Sequence, residues 1–90
     1  MNLSAKPKQK SDYHLEMMDG ELLLYHLSET RILYFNETAS LIWHLCDGQQ
    51  SLSEMITLLG EAYPEAAETM AADVEETVQQ FLTAGCIELV

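Results

Sequence analysis

Tyr13, Leu15 and Met17 alternate with His14 and Glu16, the two-residue period of a strand with one buried face. Asp19-Gly20 follows, a dipeptide suited to the positive φ angles of a type I′ hairpin turn. Such a turn sets Tyr13, Leu15 and Met17 across from His26, Leu24 and Leu22 on a second strand running from Glu21 to Leu27. The polar triplet Ser28-Glu29-Thr30 predicts another turn, and Arg31-Ile32-Leu33-Tyr34-Phe35 a third strand rich in aliphatic and aromatic side chains. Three antiparallel strands in a meander need a cover on one face, and the rest of the chain must supply it.

From Asn36 onward the apolar period changes to three and four. Asn36 is a good N-cap, because its side-chain oxygen can accept from an orphan amide of the first turn. Ala39, Ile42, Trp43 and Cys46 then share one helix face, and Asp47-Gly48 is expected to end the helix, with Gly48 at a left-handed C-cap. Ser51-Leu52-Ser53-Glu54 matches a capping box and opens a second helix with an apolar stripe of Leu52, Met55, Ile56, Leu59 and Tyr63, closed by Pro64. A third helix is expected to start between Ala66 and Thr69. It carries Met70, Val74, Val78, Phe81 and Leu82 on one stripe and reaches a C′ glycine at Gly85. Cys86-Ile87-Glu88-Leu89 is compatible with a short closing strand.

The order predicts a small α+β domain of the winged-helix kind over residues 12–90: a three-stranded antiparallel sheet, then three helices, with room for a short C-terminal strand. Residues 1–11 hold lysines, a proline and small polar residues without periodicity, and read as a flexible N-terminal tail.

Charge narrows the possible partners. The 90 residues carry 15 Asp and Glu against 4 Lys and Arg, a formal net charge of −11. Lys6, Lys8 and Lys10 fall in the presumptive tail, so Arg31 is the sole base in the domain. Nucleic acid and anionic membrane surfaces are disfavoured, since both depend on Lys and Arg to neutralise phosphate. A helix-turn-helix reading of the last two helices fails for the same reason. The recognition helix would bring Glu68, Asp73, Glu75 and Glu76 to the groove. Disorder is not implied, because 48% of the residues are hydrophobic. Two cysteines do not make a secreted disulfide framework, and the start MNLSAKPKQK lacks an apolar signal core. A cytoplasmic protein with reduced thiols is expected.

Catalytic and metal chemistry find little purchase. His14, His26 and His44 show no ligand spacing, and the hairpin register sends His14 and His26 to opposite sheet faces. Cys46 and Cys86 form no C-x-x-C pair and read as buried thiols. The glycines at 20, 48, 60 and 85 make no phosphate loop. No enzyme activity, cofactor or metal is expected.

A peptide-binding surface remains. The third strand is last in the meander, has no proline, and carries one charge at its start. An open edge of this type accepts a further strand through backbone hydrogen bonds, with side-chain pockets for selectivity. The third helix would flank the resulting groove with Val74, Val78 and Phe81. The same residues also fit an edge covered by a helix or a dimer mate, or a plain core.

Leu33-Tyr34-Phe35-Asn36-Glu37-Thr38-Ala39-Ser40-Leu41-Ile42-Trp43, followed by Cys46-Asp47-Gly48, resembles the PqqD family, the coenzyme PQQ synthesis protein D group. The strand ends in Asn, then come a Thr-Ala pair, an aliphatic-Trp pair and an Asp-Gly. Tyr63-Pro64, Asp73-Val74 and Phe81-Leu82 before Gly85 resemble the family's second half. The resemblance spans residues 12–90. It implies a recognition element for ribosomally made, post-translationally modified peptides, which binds a precursor's leader and presents it to a radical SAM protein, a cyclase or a leader protease. By position it implies peptide-binding roles for Ile32, Leu33, Tyr34 and Phe35 on the strand and Val74, Val78, Phe81 and Leu82 on the helix. Which strand side chains face the groove depends on a one-residue register. The basic start and the acids after Arg31 depart from what the PQQ protein itself would show, so a lasso or other modified peptide fits equally. The expected form is a monomer or weak dimer. The competing expectation is an adaptor that binds a folded partner.

Overall fold

A computed structural model describes residues 2–19, 21–28 and 32–90, apart from the side chain of Glu37. Five strands and three α-helices follow in order: β1 Pro7–Gln9, β2 Tyr13–Met18, β3 Glu21–His26, β4 Ile32–Phe35, α1 Glu37–Leu45, α2 Leu52–Ala62, α3 Ala67–Ala84 and β5 Ile87–Leu89. A single 3-10 turn, Pro64–Ala66, leads into α3.

Strands β2, β3 and β4 form the antiparallel meander in that spatial order. The β2–β3 register pairs Tyr13 with His26, Leu15 with Leu24 and Met17 with Leu22, as the alternation predicts. Asp19 has φ 51°, the positive angle the expected turn requires. Gly20, Glu29, Thr30 and Arg31 lie outside the described residues, so the second half of that turn, the second turn and the first residue of the third strand do too. The inner sheet face is carried by Leu22 and Leu24, both fully buried against α1 and α3. Phe81 sits at the centre of the core, edge-on to Phe35 at 4.8 Å and to Trp43 at 5.4 Å between ring centroids. Burying a side chain of that size stabilises by roughly 2–3 kcal/mol.

Helix caps follow the residues chosen for them. Asn36 accepts from the Ala39 amide at 2.9 Å, and the Ser51–Glu54 capping box is closed from both sides. Gly85 takes φ 79°, its amide bonds to Leu82 and that of Cys86 to Phe81, the two crossed bonds of a Schellman ending. The end of α1 differs from expectation. The helix stops at Leu45 with Cys46 as its cap, and Gly48 (φ 77°) lies in the turn beyond. Its amide donates to the Pro7 carbonyl, and a Cβ there would meet the Lys8 side chain at 3.2 Å. The glycine permits close approach of β1 instead of capping the helix.

The expected flexible tail is the main correction. β1 pairs antiparallel with β5, Pro7 with Leu89, Lys8 with Glu88 and Gln9 with Ile87, and on its other side bridges Asp47 through Lys8. Lys6 and Val90 exchange both backbone bonds, Gln9 donates to Cys46 and Lys10 to Cys86. The carbonyls of Ala5 and Leu3 accept the amides of Leu52 and Ser53, the first two orphan donors of α2, while Ser51 takes the third. The segment is held by its main chain and by the fully buried Pro7. No side-chain period reveals such pairing, which is why the sequence reads as a tail.

Candidate functional site

Among the described residues β4 has a strand on one side only. Its free side is found by following the ladder. The Leu27 amide bonds to the Asp12 carbonyl at 2.8 Å, so residues 12, 14, 16 and 18 of the hairpin bond inward to β3. Alternation across β3 then makes Leu22–Phe35 and Leu24–Leu33 the bonded pairs with β4. Ile32 and Tyr34 therefore turn their amides and carbonyls outward, while the side chains of Leu33 and Phe35 point inward to the core.

Beside this edge runs a groove whose far wall is α3. Its middle is a depression of about 380 Å³ lined by Tyr34, Phe35, Asn36, Thr38 and Ala39 on one side and Asp73, Glu76, Thr77 and Gln80 on the other. Toward the end of α3 it opens into a wider space bounded by Leu33, Tyr34 and Phe35 with Gln79, Gln80, Thr83 and Ala84. In the other direction Thr38 and Asp73 join it to a hollow of Leu41, Tyr63, Glu65, Ala66 and Met70. An α3 wall of this length measures about 27 Å, which matches about eight extended residues at ~3.3 Å each. In the floor, Phe35 packs edge-on against Phe81. The end toward Ala84 is apolar and amide-rich, whereas Glu76, Asp73 and Glu65 border the middle and the other end. Asp73 accepts from the Thr69 hydroxyl at 3.2 Å.

The sequence-expected residues divide into two sets. Leu33, Tyr34 and Phe35 line the groove, and Ile32, 44% exposed, sits on the outer sheet face at the start of the edge. Val74, Val78 and Phe81 are completely buried core residues, and Leu82 is half-buried against that core. The groove wall of α3 is instead the neighbouring stripe Asp73, Glu76, Thr77, Gln80 and Thr83. Its spacing of three and four is visible in the sequence, but polar residues on a helix read first as solvent-facing surface.

Other chemistry is sparse. Among the described residues no three His, Cys, Asp or Glu side chains gather to hold a metal. His14 contacts Glu16 at 3.6 Å, His44 lies 2.7 Å from the Ser40 carbonyl, and His26 packs edge-on to Tyr13. Burial pushes the Cys46 thiol up to about 12, with smaller contributions from Cys86 and Asp47. Among the described residues no helix is long and apolar enough to cross a membrane.

The family model for coenzyme PQQ synthesis protein D matches residues 21–87. No curated protein matches the chain. Among solved structures, TbiB1 in complex with the TbiA(beta) leader peptide superposes with a TM-score of 0.73, covering 90% of this chain and 94% of that one at 18% identity. At that identity the likeness is one of fold.

Proposed function

The chain belongs to the family of coenzyme PQQ synthesis protein D, and we propose that it is a non-catalytic recognition protein for the leader segment of a ribosomally made precursor peptide. The leader adds to the outer side of β4 as a further strand and lies in the groove against α3. The bound precursor is then presented to a separate modifying enzyme such as a radical SAM protein, a cyclase or a leader protease. The observation that carries this reading is the open β4 edge facing a groove about as long as an eight-residue strand. The outward amides and carbonyls of Ile32 and Tyr34 provide sequence-independent affinity, and the apolar and acidic ends provide selectivity. The solved neighbour is a complex with a leader peptide, which supports the same use of the fold here.

The test is calorimetric titration with the leader and core halves of the short precursor encoded nearest to this chain. The leader should bind and the core should not. Tyr34→Pro removes an outward amide while sparing the bonded pairs with β3, a position where edge strands tolerate proline. It should abolish leader binding and leave the circular dichroism unchanged. Equal binding of the leaderless core, or normal binding by Tyr34→Pro, would overturn the proposal. Slowed amide exchange at residues 32–35 in the complex is the companion signature of strand addition. Protection confined to other surfaces would indicate a folded partner.

A further inference from the structure

The sheet has a second open edge. Among the described residues β2 pairs only with β3. Its outward-facing backbone groups, by the same ladder alternation, include the amides and carbonyls of Leu15 and Met17. Edges that must stay single are blunted by proline, lysine, a bulge or an inward-pointing charge. β2 has neither proline nor lysine, its inner face carries Tyr13, Leu15 and Met17, and Met17 and Met18 are 48% and 62% exposed. The polar pair His14 and Glu16 lies on the outer face, each side chain more than half exposed.

We propose that this edge pairs with a second copy of the same chain, antiparallel about a two-fold axis through Leu15. The inner faces of the two copies must lie on the same side, so residues opposite each other must both be odd or both be even. Centring on His14 sets His14 against His14 and Asp12 against Glu16, and centring on Glu16 sets Glu16 against Glu16. Centring on Leu15 sets His14 of each copy against Glu16 of the other, Tyr13 against Met17, and Asp12 against Met18. Of these three registers, that one alone sets an imidazole against a carboxylate, twice per interface, and it makes Leu15–Leu15 a bonded pair at the axis. The strand is thus complementary to itself, the condition for a closed two-fold interface. The two meanders become one six-stranded sheet whose outermost strands are the two β4 edges, with both grooves open. This interface does not depend on what the groove binds.

Sedimentation velocity across a wide concentration range should show a reversible monomer–dimer equilibrium. His14→Glu places like charges opposite each other at both pairs and should weaken the dimer by roughly tenfold. The double variant His14→Glu with Glu16→Lys sets opposite charges against each other and should recover the dimer. Both positions are exposed, so neither change should alter the circular dichroism. In the wild-type protein, amide exchange at Leu15 and Met17 should slow as concentration rises. A monomer at every concentration, a failure of the double variant to recover, or concentration-dependent protection at residues 32–35 instead of Leu15 and Met17 would overturn the proposal.

Discussion

Cys46 shows how strongly one residue's surroundings set its chemistry. Its side chain is completely buried at the end of α1, and its thiol donates to the Ile42 carbonyl at 3.1 Å. Burial raises the thiol from 9.0 to about 12, so the nucleophilic thiolate is essentially absent near neutrality. A thiol-directed reagent at pH 8 should leave Cys46 unmodified in the native protein and label it once denaturant is added. The raised value also links to stability. A group that holds its proton more tightly when folded contributes stability in full below its unfolded pKa and loses it as pH climbs. Stability measured by urea unfolding should therefore decline from about pH 9 upward toward 12. Glu54 behaves in the opposite sense. The Ser51 amide it accepts lowers its carboxyl, so its contribution is present above 4.5 and fades as the pH falls through the folded value.

Among the elements, α3 separates two roles that share one stretch of sequence. The stripe Met70, Val74, Val78 and Phe81 makes the core, and the stripe Asp73, Glu76, Thr77 and Gln80 makes the groove wall. On the sequence reading, Val78→Asp would weaken peptide binding and leave the fold intact. With Val78 completely buried, the same change places an unpaired carboxylate in the core and should unfold the domain, costing more than about 4 kcal/mol. Gln80→Trp addresses the wall itself, since Gln80 is exposed and borders both the middle depression and the wider space. It should weaken leader binding in calorimetry by more than about tenfold, while the thermal midpoint stays within a few degrees. The difference between the two variants explains what was legible. Period two in β2 and period three-to-four in α1 and α3 are written in side chains, so the meander, the three helices, the caps at Asn36, Ser51 and Gly85 and the hairpin register are legible in the sequence. Which of two adjacent helical stripes faces the core and which faces an open edge depends on where β4 packs, and a stripe of Asp, Glu, Thr and Gln gives no apolar signal. The α1 ending departs from the sequence expectation for a related reason. Gly48 carries the φ of a helix cap, but the close approach of Lys8 and Pro7 requires it.

At the scale of the whole molecule, the first residues complete the fold. Residues 3–10 satisfy amides or carbonyls of α2, β5 and the turn after α1, and they flank the carbonyls of both cysteines. Removing residues 2–9 should lower stability by at least about 2 kcal/mol in urea titration, since α2 loses two of its first-turn acceptors and β5 its ladder with β1. Three carboxylates of the acidic excess border the groove.

The β1–β5 ladder joins strands separated by nearly the full length of the chain. Closing a loop of that size precedes any reward from the contact, so such pairings form late. During synthesis β1 emerges first and has no ladder partner until β5 follows, after the meander and the three helices have been made. The hairpin and helices can close from local contacts, and the docking of β1 then becomes the last kinetic step. A refolding time course should therefore carry its slowest phase in the protection of the Lys6 and Lys10 amides, which bond to Val90 and Cys86.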